Sequence, residues 1–129
     1  MSDMTQAAMI PSEKMAVYRA TAQRRAQAQR EALEVRRTQA LTLAQRASQI
    51  LKEEFHVSRV VLFGSTLAPT FFHERSDIDL AVWGMDERQY LRAVGRLLDL
   101  DPAFEFDLVE FEAALPRLQA SIQNEGVEL

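Results

Sequence analysis

No glycine or proline falls between Ser12 and Phe55, and the stretch is dense in Ala, Arg, Gln, Glu and Leu. Such residues lose little rotamer freedom in a helix, so the chain is committed to one long helix from Ser12 to about Phe55. Forty-odd residues at ~1.5 Å each exceed 60 Å, more than a globule of 129 residues can cover. The apolar pattern says which part packs. Ala40, Leu41, Leu43, Ala44, Ala47, Ile50, Leu51 and Phe55 recur at helical spacing and make a broad face. The earlier half offers only Met15, Tyr18, Ala22, Ala26 and Leu33, interleaved with Arg24, Arg25, Arg30, Arg36 and Arg37. The expected organisation is a flexible lead (1–11), a helical arm (12–39) and one domain (40–129). The arm reads as a solvated helix or as a docking surface for a partner chain or a second copy.

From Arg59 the pattern changes. Val60-Val61-Leu62-Phe63 is apolar on both faces, as a covered strand should be, and stops at Gly64-Ser65. A loop through Ser76 contains Pro69 and the pair Phe71-Phe72. Asp77 to Trp83 alternates, with Ile78, Leu80 and Val82 on one side and Asp77, Asp79, Ala81 and Trp83 on the other. After Gly84, Asp86 and Gln89 form a capping pair for a helix to about Leu100. Phe104 to Val109 is a third strand with Asp107 opposite its apolar side. Pro116 opens a last helix that Gly126 ends. These elements define an α+β, two-layer fold: a small mixed β-sheet packed on helices.

Composition narrows the chemistry. Cysteine is absent, which excludes disulfides, thiolate zinc sites and cysteine nucleophiles and makes a cytoplasmic address the default. No apolar run approaches the ~18 residues of a membrane span. The net charge of −4 divides into +3 over residues 1–54 and −7 beyond them. An acidic domain is poorly suited to gripping a phosphate backbone alone, so no direct nucleic-acid binding is expected.

That acidity is suited to hard cations. Asp77 and Asp79 project from one face of their strand, and Asp107 has the same phase on its own. If the two strands are neighbours, three carboxylates converge, and like charges ~4 Å apart at an effective dielectric of ~20 repel by about 4 kcal/mol. Oxygen ligands with no thiolate favour Mg²⁺ or Mn²⁺ shared with phosphates. A D-x-D pair that merely ends a strand at the surface is the competing reading. Gly64-Ser65 adds a place where backbone approaches a ligand closely and where N–H groups and a hydroxyl can hold phosphate oxygens.

Taken together, the stretch VVLFGSTLAPTFFHERSDIDLAVWG resembles the nucleotidyltransferase superfamily that includes DNA polymerase β, with its Gly-Ser turn, loop and following D-x-D strand. The segments FEFDLVEFEAALPRL and IQNEGVEL look more narrowly like minimal nucleotidyltransferases (MNT), often encoded beside HEPN-domain proteins as toxin–antitoxin pairs. The resemblance covers roughly residues 40–129 and leaves the arm outside. It implies a nucleotidyltransferase fold for that part, which the long N-terminal helix read above precedes. It also implies Asp77, Asp79 and Asp107 as catalytic residues and ligands of two Mg²⁺ or Mn²⁺ ions, with Gly64 and Ser65 on the phosphates.

The implied reaction is transfer of AMP from ATP to a tyrosine of a cognate HEPN ribonuclease; the N-terminal helix, outside the resemblance, is expected to assist docking or homo- or hetero-oligomerisation. A non-catalytic antitoxin and a nucleotidyltransferase acting on a small molecule are the alternatives. The chain departs from the family at Leu67-Ala68-Pro69-Thr70, where an arginine is usual, and eleven residues separate Ser65 from Asp77. Arg75 or a partner's side chain is expected to stand in for that arginine. His56 and His73 read as helix-end and loop residues, Trp83 as a lid over the sheet, and Glu105 as the alternative third ligand. Phe71 and Phe72 are expected either to stack a base or partner or to pack the loop.

Overall fold

The computed structural model describes residues 11–129, so the expected lead lies almost wholly outside the described residues. Helix α1 runs unbroken from Ser12 to Phe55. Its residues 12–34 belong to one compact unit and residues 35–129 form another. The helix ends at His56, whose φ of 56° is left-handed, and the Val57 N–H reaches back to the Leu51 carbonyl at 3.3 Å. A residue in this conformation turns the chain out of a helix, and glycine usually occupies it.

Four strands follow: β1 (Arg59–Phe63), β2 (Ile78–Trp83), β3 (Phe106–Glu110) and β4 (Val127–Glu128), in the order β3-β2-β1-β4. β1 pairs antiparallel with β2 and β4, while β2 and β3 are parallel. A parallel pair needs a crossover, and α2 (Tyr90–Leu98) supplies it. Helix α3 (Pro116–Glu125), with proline in its first turn, leads into β4.

Strand alternation sorts the sheet into two faces. Val60, Leu62, Ile78, Leu80, Val82 and Leu108 share one face and are at most 4% exposed. Ala40, Ala44, Ala47 and Leu51 of α1 and Ala93 and Leu97 of α2 are fully buried with them. The Arg96–Glu54 ion pair at 3.2 Å joins the two helices. Burying each Leu or Val is worth roughly 1.5–3 kcal/mol, so this face holds most of the core energy. On the opposite face Val61, Phe63 and Ala81 pack with Ile122 of α3, and Trp83, Val109, Phe111 and Leu118 close around them.

Local expectations shifted at five places. β2 begins at Ile78, leaving Asp77 just outside it, and β3 runs from Phe106 to Glu110. The Asp86 carboxylate accepts from the Arg88 N–H while the Gln89 N–H donates to the Asp86 carbonyl, because a single 3-10 turn, Glu87–Gln89, precedes α2. α2 stops at Leu98, short of Leu100. Strand β4, too short to have a periodicity, follows Gly126, where a Cβ would stand 2.3 Å from Val61 Cγ1. Gly126 therefore serves close packing, its φ of −72° being open to any residue.

Candidate active site

β1 ends at the point where its last residue, Phe63, pairs with Asp79. Gly64 follows with φ 81° and ψ −158°, a region open in practice to glycine alone. A Cβ on Gly64 would stand 2.1 Å from Asp79 Oδ2. The backbone thus passes against the carboxylate before Ser65–Leu67 turn as a short 3-10 segment. Thr66 in that turn is fully buried. Its hydroxyl donates to the Asp77 carbonyl at 3.3 Å, and its own carbonyl accepts from Arg37 Nε at 2.7 Å.

Asp79 and Asp107 are direct Cα partners on β2 and β3. Neighbouring strands lie ~4.8 Å apart and paired residues share a face, so these two carboxylates rise side by side. The Asp79 carboxyl is pushed up from 3.8 to about 6, first by burial, then by the negative charge of Asp107, then by that of Asp77. Asp77 is exposed at the entry to β2, its carbonyl held by Thr66. Among the described residues, no three His, Asp or Glu side chains stand in an arrangement that closes on a metal ion. The donors are all carboxylate oxygens around a raised acid, which suits a hard divalent cation in kind.

Other candidates separate cleanly. Arg75 is exposed, and its N–H donates to His73 Nδ1 at 3.1 Å. The His73 N–H donates to Ser76 Oγ and its carbonyl accepts from the Ser76 N–H, so His73 is a turn residue. Phe72 is 6% exposed and packs the loop, whereas Phe71 is 74% exposed. Trp83 shares the carboxylate face but pairs with Arg59 at the far end of the sheet. It stacks on Phe111 with ring centroids 4.3 Å apart, and Arg59 lies over it, so it covers the sheet. Glu105 is exposed and gives β2 its carbonyl, which accepts from the Ile78 N–H.

Three neighbours of the site escaped the sequence reading. Thr66 was an unremarked loop residue, Arg37 was assigned to the arm, and Tyr90 simply fell within the helix expected to run to about Leu100. The Tyr90 hydroxyl donates to the Leu108 carbonyl at 2.7 Å, and its acidity is reduced by burial and by Asp107 and Glu110. Thr66 beside Ser65 was a usable signal. Nothing local marks Arg37, which reaches its partner across 29 residues of chain.

A small mixed sheet with the Gly-Ser turn set against an acidic pair is the arrangement of a nucleotidyltransferase fold. Solved structures agree at the level of fold. A chain of a toxin–antitoxin solved with AMP-PNP matches with a TM-score of 0.57 and 24% identity, over 66% of this chain and 70% of that one. A chain from a complex of tri-AMPylated Shewanella oneidensis HEPN toxin with MNT antitoxin matches with a TM-score of 0.53 and 19% identity, over 69% and 70%. One from an MntA–HepT toxin–antitoxin gives 0.52 and 20%, over 68% and 69%. No curated protein matched. The family model described as polymerase beta, nucleotidyltransferase matches residues 45–129, and the chain belongs to that family. No helix among the described residues is long and apolar enough to cross a membrane.

Proposed function

We propose that the chain is an MNT-type antitoxin that transfers AMP from ATP to a tyrosine of a HEPN-domain toxin in the cytoplasm, and so neutralises it. The observation that carries this reading is the Asp79–Asp107 pair with Gly64 against it. In this reading residues 40–129 form the catalytic domain and residues 12–39 an arm that assists docking. Asp77, Asp79 and Asp107 would hold two Mg²⁺ or Mn²⁺ ions, and Gly64, Ser65 and Arg75 would face the triphosphate. Bound Mg²⁺ would supply the charge that stabilises entering and leaving oxygens. The acceptor hydroxyl oxygen forms a bond to the α-phosphorus, the bond to the β-phosphate bridging oxygen breaks, and pyrophosphate leaves. Asp107, on the edge strand β3, takes the hydroxyl proton at a carboxylate oxygen.

A second reading, neutralisation by binding alone, is favoured by the turn itself, where Leu67-Ala68-Pro69-Thr70 carries no cation. One experiment separates them. The protein is incubated with Mg²⁺, labelled ATP and the candidate HEPN toxin. AMP bound covalently to a toxin tyrosine supports transfer, and complex formation without label supports masking. Asp77→Asn and Asp79→Asn should abolish labelling while the fold persists. Normal labelling by both variants would overturn the site.

A further inference from the structure

The loop from Gly64 to Asp77 carries the proposed phosphate turn at one end and a proposed ligand at the other; Thr66 links the two ends, and Arg37, from outside the loop, anchors Thr66. Arg37 of α1, partly buried, donates from Nε to the Thr66 carbonyl at 2.7 Å. Thr66, fully buried, donates its hydroxyl to the Asp77 carbonyl at 3.3 Å. Thr66 directly follows Ser65, and Gly64 lies against Asp79. We propose that Arg37 is a positioning residue for nucleotide binding: through Thr66 it holds the Gly64–Leu67 turn and the backbone of Asp77 in one geometry. The inference rests on the nucleotidyltransferase reading above and adds a residue to it from the helix.

The physical reason is preorganisation. The turn and the entry to β2 both lie just past the last β1–β2 pair, Phe63–Asp79, and whatever motion is left to each beyond that pair has to be quenched when triphosphate binds. A cation's hydrogen bond to a carbonyl is stronger than a neutral one and is sheltered here by partial burial. The loop has no arginine between Ser65 and Thr70 to make such a bond itself. Lys52, also on α1, bonds the Leu129 carbonyl at 2.7 Å at the β4 side of the sheet, away from the loop, which provides a control for losing a cation–carbonyl bond from this helix.

The test uses the full chain and two readouts: MgATP binding by calorimetry, and hydrogen exchange of amides 64–77 in the absence of nucleotide. Arg37→Gln should weaken MgATP binding at least tenfold and speed exchange across the loop. Thr66→Val should do the same to a smaller degree, and the double variant should be no worse than Arg37→Gln, since both act on one relay. Arg37→Lys should recover part of the loss, and Lys52→Gln should leave binding within twofold. Unchanged binding in Arg37→Gln, equal losses in Arg37→Gln and Lys52→Gln, or multiplying losses in the double variant would each overturn the proposal. A parent chain that binds no MgATP overturns the nucleotidyltransferase reading together with it. Parent binding with an indifferent Arg37→Gln overturns this inference alone.

Discussion

The Gly64 backbone lies so close to the Asp79 carboxylate that a methyl group at position 64 would reach within 2.1 Å of Oδ2. The contact joins the end of β1 to the middle of the acidic pair, and the backbone angles there exclude other residues independently of space.

Gly64→Ala should therefore fail twice over. The backbone conformation alone costs about 1–3 kcal/mol, and Asp79 must also move, so the proposed AMP transfer should fall much further than stability. Chemical denaturation and the labelling assay, run on the same preparation, check both. A variant as stable and as active as the parent would contradict the close approach.

Asp79 makes stability depend on pH. Its folded carboxyl titrates near 6 against 3.8 ordinarily, so the folded state keeps the proton to higher pH. That contribution is fully present below pH 4 and is lost as pH rises through about 6. For a partly exposed carboxylate the remaining penalty at neutral pH is on the order of 1 kcal/mol after allowing for solvent screening. Asp79→Asn should be more stable than the parent by that amount at pH 7.5 in chelator, and the difference should vanish near pH 4. Identical pH profiles would refute the assignment.

The adjacent phenylalanines should behave oppositely. Phe72→Ala, which empties a buried position, should cost about 3–5 kcal/mol. Phe71→Ala should stay within ~0.5 kcal/mol, its ring being mostly in solvent. Thermal unfolding of the two variants decides.

At the end of α1, His56 keeps a left-handed backbone despite its Cβ. His56→Gly should stabilise the protein by up to about 1 kcal/mol, seen as a higher denaturation midpoint with an unchanged slope. Destabilisation would mean that the imidazole makes up for the strain.

Much of this arrangement was readable beforehand because it is local. A run free of glycine and proline makes a helix wherever it lies, so Ser12 to Phe55 was legible from end to end. Strand phase is equally local: the period of two put Asp79, Ala81 and Trp83 on one side of β2 before any neighbour was known, whereas Asp77 lies just before the strand. Element ends were less legible. The entry to α2 depended on which N–H the Asp86 carboxylate would accept from, and β4 was two residues long.

What the chain determined unaided was each segment's conformation and the side on which its acids lie, since backbone sterics and side-chain alternation act over a few residues. Tertiary structure alone decided that β3 lies parallel to β2 with Asp107 opposite Asp79. It also decided that Ile122 of α3 packs on the carboxylate face and that Arg37 meets Thr66. Register and long-range contact follow from how apolar faces are buried together, and that burial is a property of the whole fold.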